Sequence, residues 1–412
     1  MIGFHFPPSA LSSGHLRLLA FAKYLPAFSW TPLILSAKEG AYEAVDRSSV
    51  SAIPPGVHVH RAFALDTRRH LGIHGRYPSL LAQPDRWASW WPAAVSSGLR
   101  LIRRHRVRVI WSTFPIMTAH CVAHTLNRLT GIPWVADFRD PVAMAVIGKN
   151  QRTVRNQTRW EQRVLSRAAC TVFTTPGAMQ ACSVRYPSIS GEGRIAVIPN
   201  GYDEDDFSSL PHPEMPAKSA PLHFVHAGVL YPGGRNPSSF FQALANMKSA
   251  RMLNPGDIRI TLRASGADDR YRAELERLGI ADVVTLAPFL SYREALAEQA
   301  SADGLLLFQG EQFDQQIPAK LYEYVRIGKP IFALVGERGD TAALLSRIPV
   351  AVKTPIDDSV RIQQRLIGFI EDVREGRFAR MAATDVAQYS RRDTVRQFAD
   401  LLDKVSGNRT EY

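Results

Sequence analysis

Twice along this sequence, short apolar runs rich in β-branched residues alternate with stretches of helical periodicity, and a Pro-rich segment separates the two sets. Such alternation confines the fold to parallel sheets, because parallel strands can be joined only by a crossover long enough to hold a helix. In the first half, strand-like runs at 109–113, 134–137, 171–174 and 194–198 enclose helical stretches at 118–129, 154–168 and 177–184. The second half repeats the pattern, with strands at 222–227, 258–264, 283–286, 304–308 and 330–335 and helices at 237–249, 270–278, 292–300 and 319–327. Residues from about 360 to 405 read as helices only.

The expected fold is therefore α/β, with two doubly wound, Rossmann-like domains facing a cleft. The first spans 1–203 and the second 222–385, with a linker at 204–221 where Pro211, Pro213, Pro216 and Pro221 block regular structure. A helix within 386–412 is expected to return to the first domain. At 412 residues the chain is too long for one core, which agrees with two. Open parallel sheets bind ligands at the carboxyl ends of their strands, so the loops there are the places to look for chemistry.

Charge narrows the partners to anions. The net charge is +12, and between Arg61 and Arg108 there are ten arginines against two acids, Asp66 and Asp85. Nucleic acid, anionic lipid and phosphorylated ligands are all drawn to such a field. No nucleic-acid module is present, so nucleic acid is not expected as a partner. Trp87, Trp90, Trp91, Val95, Leu99 and Ile102 follow helical spacing beside Arg100, Arg103, Arg104, Arg106 and Arg108. Two readings stand: a peripheral face on an anionic membrane, or aromatics packed into the first domain. Three cysteines without CxxC spacing point to a reducing compartment. The opening MIGFHFPP lacks the features of a signal peptide, and no apolar run approaches the ~18 residues of a span. A cytoplasmic protein, with peripheral contact at the inner face of the membrane, is the expectation.

The segment IPAKLYEYVRIGKP, residues 317–330, carries the sharpest chemical signal. Pro318 suits the first position of a helix, and Lys320 and Glu323 are neighbours on one face of it. A helix N-terminus favours phosphate, a lysine adds a point charge, and a nearby carboxylate can accept hydrogen bonds from the two hydroxyls of a ribose. The plain alternative is a solvated surface pair. The place of this segment, between a buried-type strand GLLLF and a second strand after Gly328-Lys329-Pro330, favours the nucleotide. The run Asp203-Glu204-Asp205-Asp206 mimics a DxD metal motif but reads as a solvated acidic linker, and the histidines show no ligand spacing. No metal and no cofactor beyond the substrate are expected.

On these residues the chain resembles retaining GT-B glycosyltransferases, specifically the family-four members of bacterial polysaccharide and glycoconjugate pathways, over nearly its whole length. The resemblance implies transfer of a sugar from a nucleotide-sugar donor to a glycan, lipid-linked or small-molecule acceptor with retention of configuration. In that family two glutamates eight apart contact the donor sugar and the ribose; Glu323 matches the second, and Gln315 stands at the first. HFVHAGVLYPGGRNP is similar to the donor-diphosphate loop, with Gly228 and Asn236 in the donor site, Val229 where an arginine is usual, and Arg235 where a lysine is usual. Backbone N–H groups near Gln316 and Ile317 would meet the donor sugar. The opening FHFPPSALSSGHLR resembles the first strand-to-helix loop, with Ser12 and Ser13 before Gly14 at the close-approach position. PWVADFRDP is similar to the strand end that often carries a histidine; here Arg139 takes that place between Asp137 and Asp140, open to a sugar-binding role or a closed Asp–Arg–Asp network. Arg235, Lys320, Arg139 and Asp140 are the residues expected to carry the chemistry. An epimerase or hydrolase of the same fold, or an inactive scaffold, are the alternatives.

Overall fold

The computed structural model describes residues 1–10, 14–74, 76–142, 151–188, 191, 193–208, 210, 221–254 and 256–407. The chain divides into two compact units, Met1–Pro199 with Arg391–Tyr412, and Asn200–Ser390.

In the first unit six parallel strands are β1 (Leu33–Ala37), β2 (His58–Ala62), β3 (Ile110–Thr113), β4 (Trp134–Arg139), β5 (Cys170–Phe173) and β6 (Ile195–Val197). They pair as β1-β2 and as β3-β4-β5-β6. Ile2 bridges both Leu35 of β1 and Ser112 of β3, so the opening residues join the two sets. The point where strand order reverses therefore lies at the loop that follows Ile2, one of the two places where such sheets bind ligands. β2, HVHRA, escapes a reading by apolar runs because it is partly exposed with alternating histidines, whereas β1, LILSA, is buried and its short apolar run stands without a neighbouring strand signal.

The helix Met117–Thr130 shows how local chemistry sets an element. Asp85 accepts the Thr118 backbone N–H and its hydroxyl, both at 2.8 Å, which satisfies orphan donors at the first turn. Gly131, at φ 72°, ends the helix by returning its N–H to Asn127 O. The preceding helix, Trp90–His105, turns its tryptophan end inward: Trp90 is fully buried with its ring edge-on to Phe4 at 5.4 Å, and Trp87 lies 5.0 Å from Phe4. Trp91 packs on Trp160 at 5.3 Å and donates its indole N–H to Thr125. Of the two readings of the tryptophans in the Arg/Trp-rich 61–108 region, these contacts favour packing into the first unit, while Arg100, Arg103, Arg104 and Arg108, together with Phe63, Ile73 and Leu80, are exposed. The helix Arg391–Ser406 completes this unit, stacking Phe398 on Phe21 at 4.4 Å.

In the second unit β7 (Leu222–Ala227), β8 (Ile258–Arg263), β9 (Val284–Ala287), β10 (Gly304–Gln309), β11 (Ile331–Val335) and β12 (Ala351–Pro355) form one parallel sheet in the order β12-β11-β10-β7-β8-β9. Order reverses between β7 and β10, which makes their carboxyl ends the expected ligand position. All of β10 is buried, as a central parallel strand covered by helices should be. β12 was not legible in sequence because it is an edge strand carrying an exposed lysine and a terminal proline. The acidic run is not free linker at its start. Tyr202 and Phe207 are buried in this unit, Asp203 caps the short turn Glu204–Phe207, and Glu204 forms a two-pronged ion pair with Arg326. The expected linker residues Pro211, Pro213 and Pro216 lie outside the described residues.

Candidate functional site

At the end of β7 the chain passes through Gly228, whose φ of +132° favours glycine. A Cβ there would lie 2.5 Å from Lys320 Nζ. Lys320, the second residue of the helix Ala319–Ile327, uses this gap to donate to Ala227 O at 2.6 Å. Burial chiefly, and then the charge of Arg235, lower the Lys320 ammonium to about pH 7, with Glu323 opposing the shift. Pro318 precedes the helix in extended conformation rather than starting it. The helix N-terminus and its lysine thus sit together at the switch point.

Arg235 faces the same ground. Its Nε donates to Gln309 Oε1 at 3.1 Å, and its guanidinium lies 5.4 Å from the rings of both Tyr231 and Phe313. Gly234, at φ +98°, closes the loop by accepting the Gly310 N–H at 2.6 Å, and a side chain there would collide with Gln312. Beneath them His226 is fully buried and donates from Nδ1 to Leu306 O at 2.9 Å; burial, and then Lys320, push its pKa well down, so the ring is neutral. Two cationic side chains thus converge at a helix N-terminus, a combination suited to an anion.

Glu323 is half-buried, and Tyr292 donates to its Oε1 at 2.9 Å. The same Tyr292 hydroxyl stands 3.3 Å from Asp206 Oδ2. His226, Gln309, Tyr231, Phe313 and Tyr292 were missed in sequence; each is an ordinary core or surface type whose role comes only from its neighbours. Two expectations need correction. The Gln316 N–H bonds Phe313 O at 2.9 Å and its carbonyl accepts from Thr341, so this amide is engaged within the loop rather than turned to a sugar. Asn236 Oδ1 accepts from the Ser238 N–H and hydroxyl, starting the helix Ser238–Ser249, so its oxygen serves the fold. Gln315 is exposed ahead of the helix, Ile317 is half-buried there, and Val229 is 51% exposed where the resembled family has an arginine.

In the first unit Arg139 ends β4 at φ +64°, and the Asp140 N–H bonds Phe138 O at 2.7 Å, closing a three-residue turn around it. That conformation is unfavourable for a residue with a side chain, and strain of this kind gathers at functional positions. Arg139 O is held by the Thr174 N–H and hydroxyl, and Arg139 Nη1 reaches Phe114 O at 3.4 Å. Burial lowers its pKa against the pull of Asp137 and Asp140, and burial raises that of Asp140. The closed network that the sequence left open exists, but with a different cation. Asp137, fully buried, pairs with Arg17 at 2.9 Å, and Arg17 also donates to Pro199 O and Ile198 O. Arg139 and Asp140, both half-buried, stand beside this pair at the end of β4. Gly14 opens the helix Gly14–Tyr24, and Ser12 and Ser13 lie outside the described residues.

Residues 17–201, most of the first unit, match the model of the glycosyl transferase 4-like domain. Among solved structures, sucrose-phosphate synthase from Thermosynechococcus elongatus is similar at TM-score 0.68 and 14% identity, over 98% of this chain and 99% of that one. HepE from Anabaena, solved in complex with UDP, gives 0.65 at 16% identity over 98% and 99%. WaaG, a glycosyltransferase involved in lipopolysaccharide biosynthesis, gives 0.58 at 13% identity over 100% of both chains. No curated protein matches the sequence significantly. The chain has the GT-B fold of glycosyltransferases. Within it, the match to a glycosyl transferase 4-like domain is confined to residues 17–201. Among the described residues no helix is long and apolar enough to cross a membrane.

Proposed function

We propose that this transferase moves a sugar from a nucleotide-sugar donor to a glycan, lipid-linked or small-molecule acceptor, with retention of configuration and without a metal ion. The observation that carries the reading is Lys320 drawn over Gly228 to the end of β7, beside Arg235 and at a helix N-terminus. A lysine titrating near neutrality becomes fully charged when a diphosphate arrives, so its charge is greatest where the leaving group needs it. Glu323, oriented by Tyr292, is placed to accept the ribose hydroxyls. Arg139 and Asp140 supply charged groups at the β4 mouth for sugar hydroxyls. A UDP-bound neighbour makes uridine the first base to test. A role in bacterial cell-surface polysaccharide or glycoconjugate synthesis is part of this reading, with peripheral membrane contact through exposed Arg100, Arg103, Arg104 and Arg108.

The test is thermal unfolding with UDP, GDP, ADP and CMP in the presence of EDTA. A nucleotide at 100 times its dissociation constant adds about 2.7 kcal/mol of stability. At least one should raise the melting temperature, and Glu323→Ala should remove the rise. If no nucleotide shifts the transition, the donor site is misassigned. Anomeric analysis of the product then decides retention.

A further inference from the structure

At the amino ends of β1 and β3, the opposite end of the strands from Arg139, the first unit holds a pocket of about 360 Å³. That volume lies within the roughly 300–1,000 Å³ of small-molecule sites. Leu25, Trp30, Val109, Trp111, Phe398 and Leu402 form its apolar wall, the last two from the helix Arg391–Ser406. Its lining also includes His105 and the guanidinium groups of Arg106 and Arg108, and no acidic residue among the described residues lines it. Arg108 stacks its guanidinium on Trp30 at 4.5 Å, and Arg106 is held at φ +49° where the helix Trp90–His105 ends. Trp30 donates its indole N–H to Asp403 at 3.2 Å.

Trp111 is 2% exposed, and its ring is flanked by Phe21 and Phe398 at 5.4 and 5.9 Å. An apolar wall beside two exposed arginines suits an apolar body that carries one anionic group.

We propose that this pocket is a second ligand site, separate from the donor site, for a compact aromatic or branched apolar carboxylate. The apolar body lies among Trp30, Trp111 and Phe398, and the carboxylate meets Arg106 and Arg108. The ligand is small, because the enclosed volume cannot take a nucleotide sugar. It binds at the edge of the sheet remote from the strand mouths, so it acts as an effector and not as a substrate.

The experiment titrates the full chain with 3-phenylpropanoate, its neutral amide and 3-phenylpropylamine, following the indole ¹H–¹⁵N resonances, with Trp30→Phe and Trp111→Phe assigning the two pocket signals. The carboxylate should bind saturably and move both resonances. The amide and the Arg106→Gln/Arg108→Gln protein should each bind about tenfold more weakly or worse, as loss of a charge-assisted contact implies. Leu402→Trp, which fills the pocket, should abolish binding while the nucleotide-induced thermal shift of the second unit persists. The proposal is overturned if carboxylate and amide bind alike, if nothing saturates, or if Leu402→Trp still binds. The surface arginine variant keeps the test decisive should Leu402→Trp fail to fold. Because the nucleotide shift is read separately, failure here leaves the donor-site reading standing, and the reverse.

Discussion

Binding of the donor should take up a proton, and Lys320 should be its source of demand. In the free protein its pKa is about 7, lowered first by burial. A donor diphosphate places negative charge beside the ammonium and moves the pKa back toward the ordinary lysine value of about 10.4. A nucleotide sugar has no group of its own titrating near neutrality, so uptake reports the protein. With a free pKa of about 7, uptake is roughly 0.1 proton at pH 6, 0.5 at pH 7 and 0.9 at pH 8. The sign follows: well below pH 7 the lysine is already charged and affinity is flat, while binding weakens about fivefold from pH 7 to 8 and approaches tenfold per unit above that. Between pH 7 and 9 the loss is roughly 50-fold, about 2.3 kcal/mol. Isothermal titration of the best-binding nucleotide sugar in two buffers of different ionisation enthalpy gives the proton count directly. Lys320→Met should bind weakly with no uptake and no pH dependence in this range. Equal heats in both buffers, or an affinity flat from pH 7 to 9, would refute the reasoning, as would unchanged uptake in Lys320→Met.

The remaining expectations concern single contacts. Gly228→Ala should cost donor affinity at least tenfold with far-UV circular dichroism unchanged, because its Cβ would occupy the space 2.5 Å from Lys320 Nζ; an unchanged dissociation constant would show that Lys320 does not need the gap. Tyr292→Phe removes the 2.9 Å bond to Glu323 and should weaken donor binding by about 0.5–1.5 kcal/mol, a smaller effect than Glu323→Ala in the same titration. Arg17→Met leaves the fully buried Asp137 without its cation and should destabilise the first unit by about 3–5 kcal/mol in urea unfolding; a loss under 1 kcal/mol would mean water reaches Asp137. At position 139, Gly should be more stable than Ala by about 1–2 kcal/mol, since φ is +64°. If Ala is the more stable, the turn is not strained.

Periodicity made the strands that are apolar throughout legible, such as GLLLF within β10 and the runs of β3 to β5, because a strand covered on both faces leaves an uninterrupted apolar signal. Edge strands with one wet face, β2 and β12, leave none. The site divides in the same way. Lys320, Glu323 and Gly228 were readable because helix-start position, spacing and glycine chemistry are local. Arg17 could not be found, since its partner Asp137 is 120 residues away and only the folded sheet brings them within 2.9 Å. Nor could sequence separate the two fates of the arginines and tryptophans in 61–108, because amphipathic spacing shows that a face is apolar and not what covers it.

The sequence by itself determined the two-fold α/β repeat, the lysine and glutamate on one face of the helix in IPAKLYEYVRIGKP and the cationic surface. These depend on residues within a few turns of one another. Tertiary structure decided which charged groups are partnered and which remain available. Asp137, Asn236 and the Gln316 amide go to the fold, while Lys320 and Arg235 are gathered at the switch point. The physical reason is that a charge acquires its function from burial and from neighbours, and both are set by contacts between residues far apart in the chain.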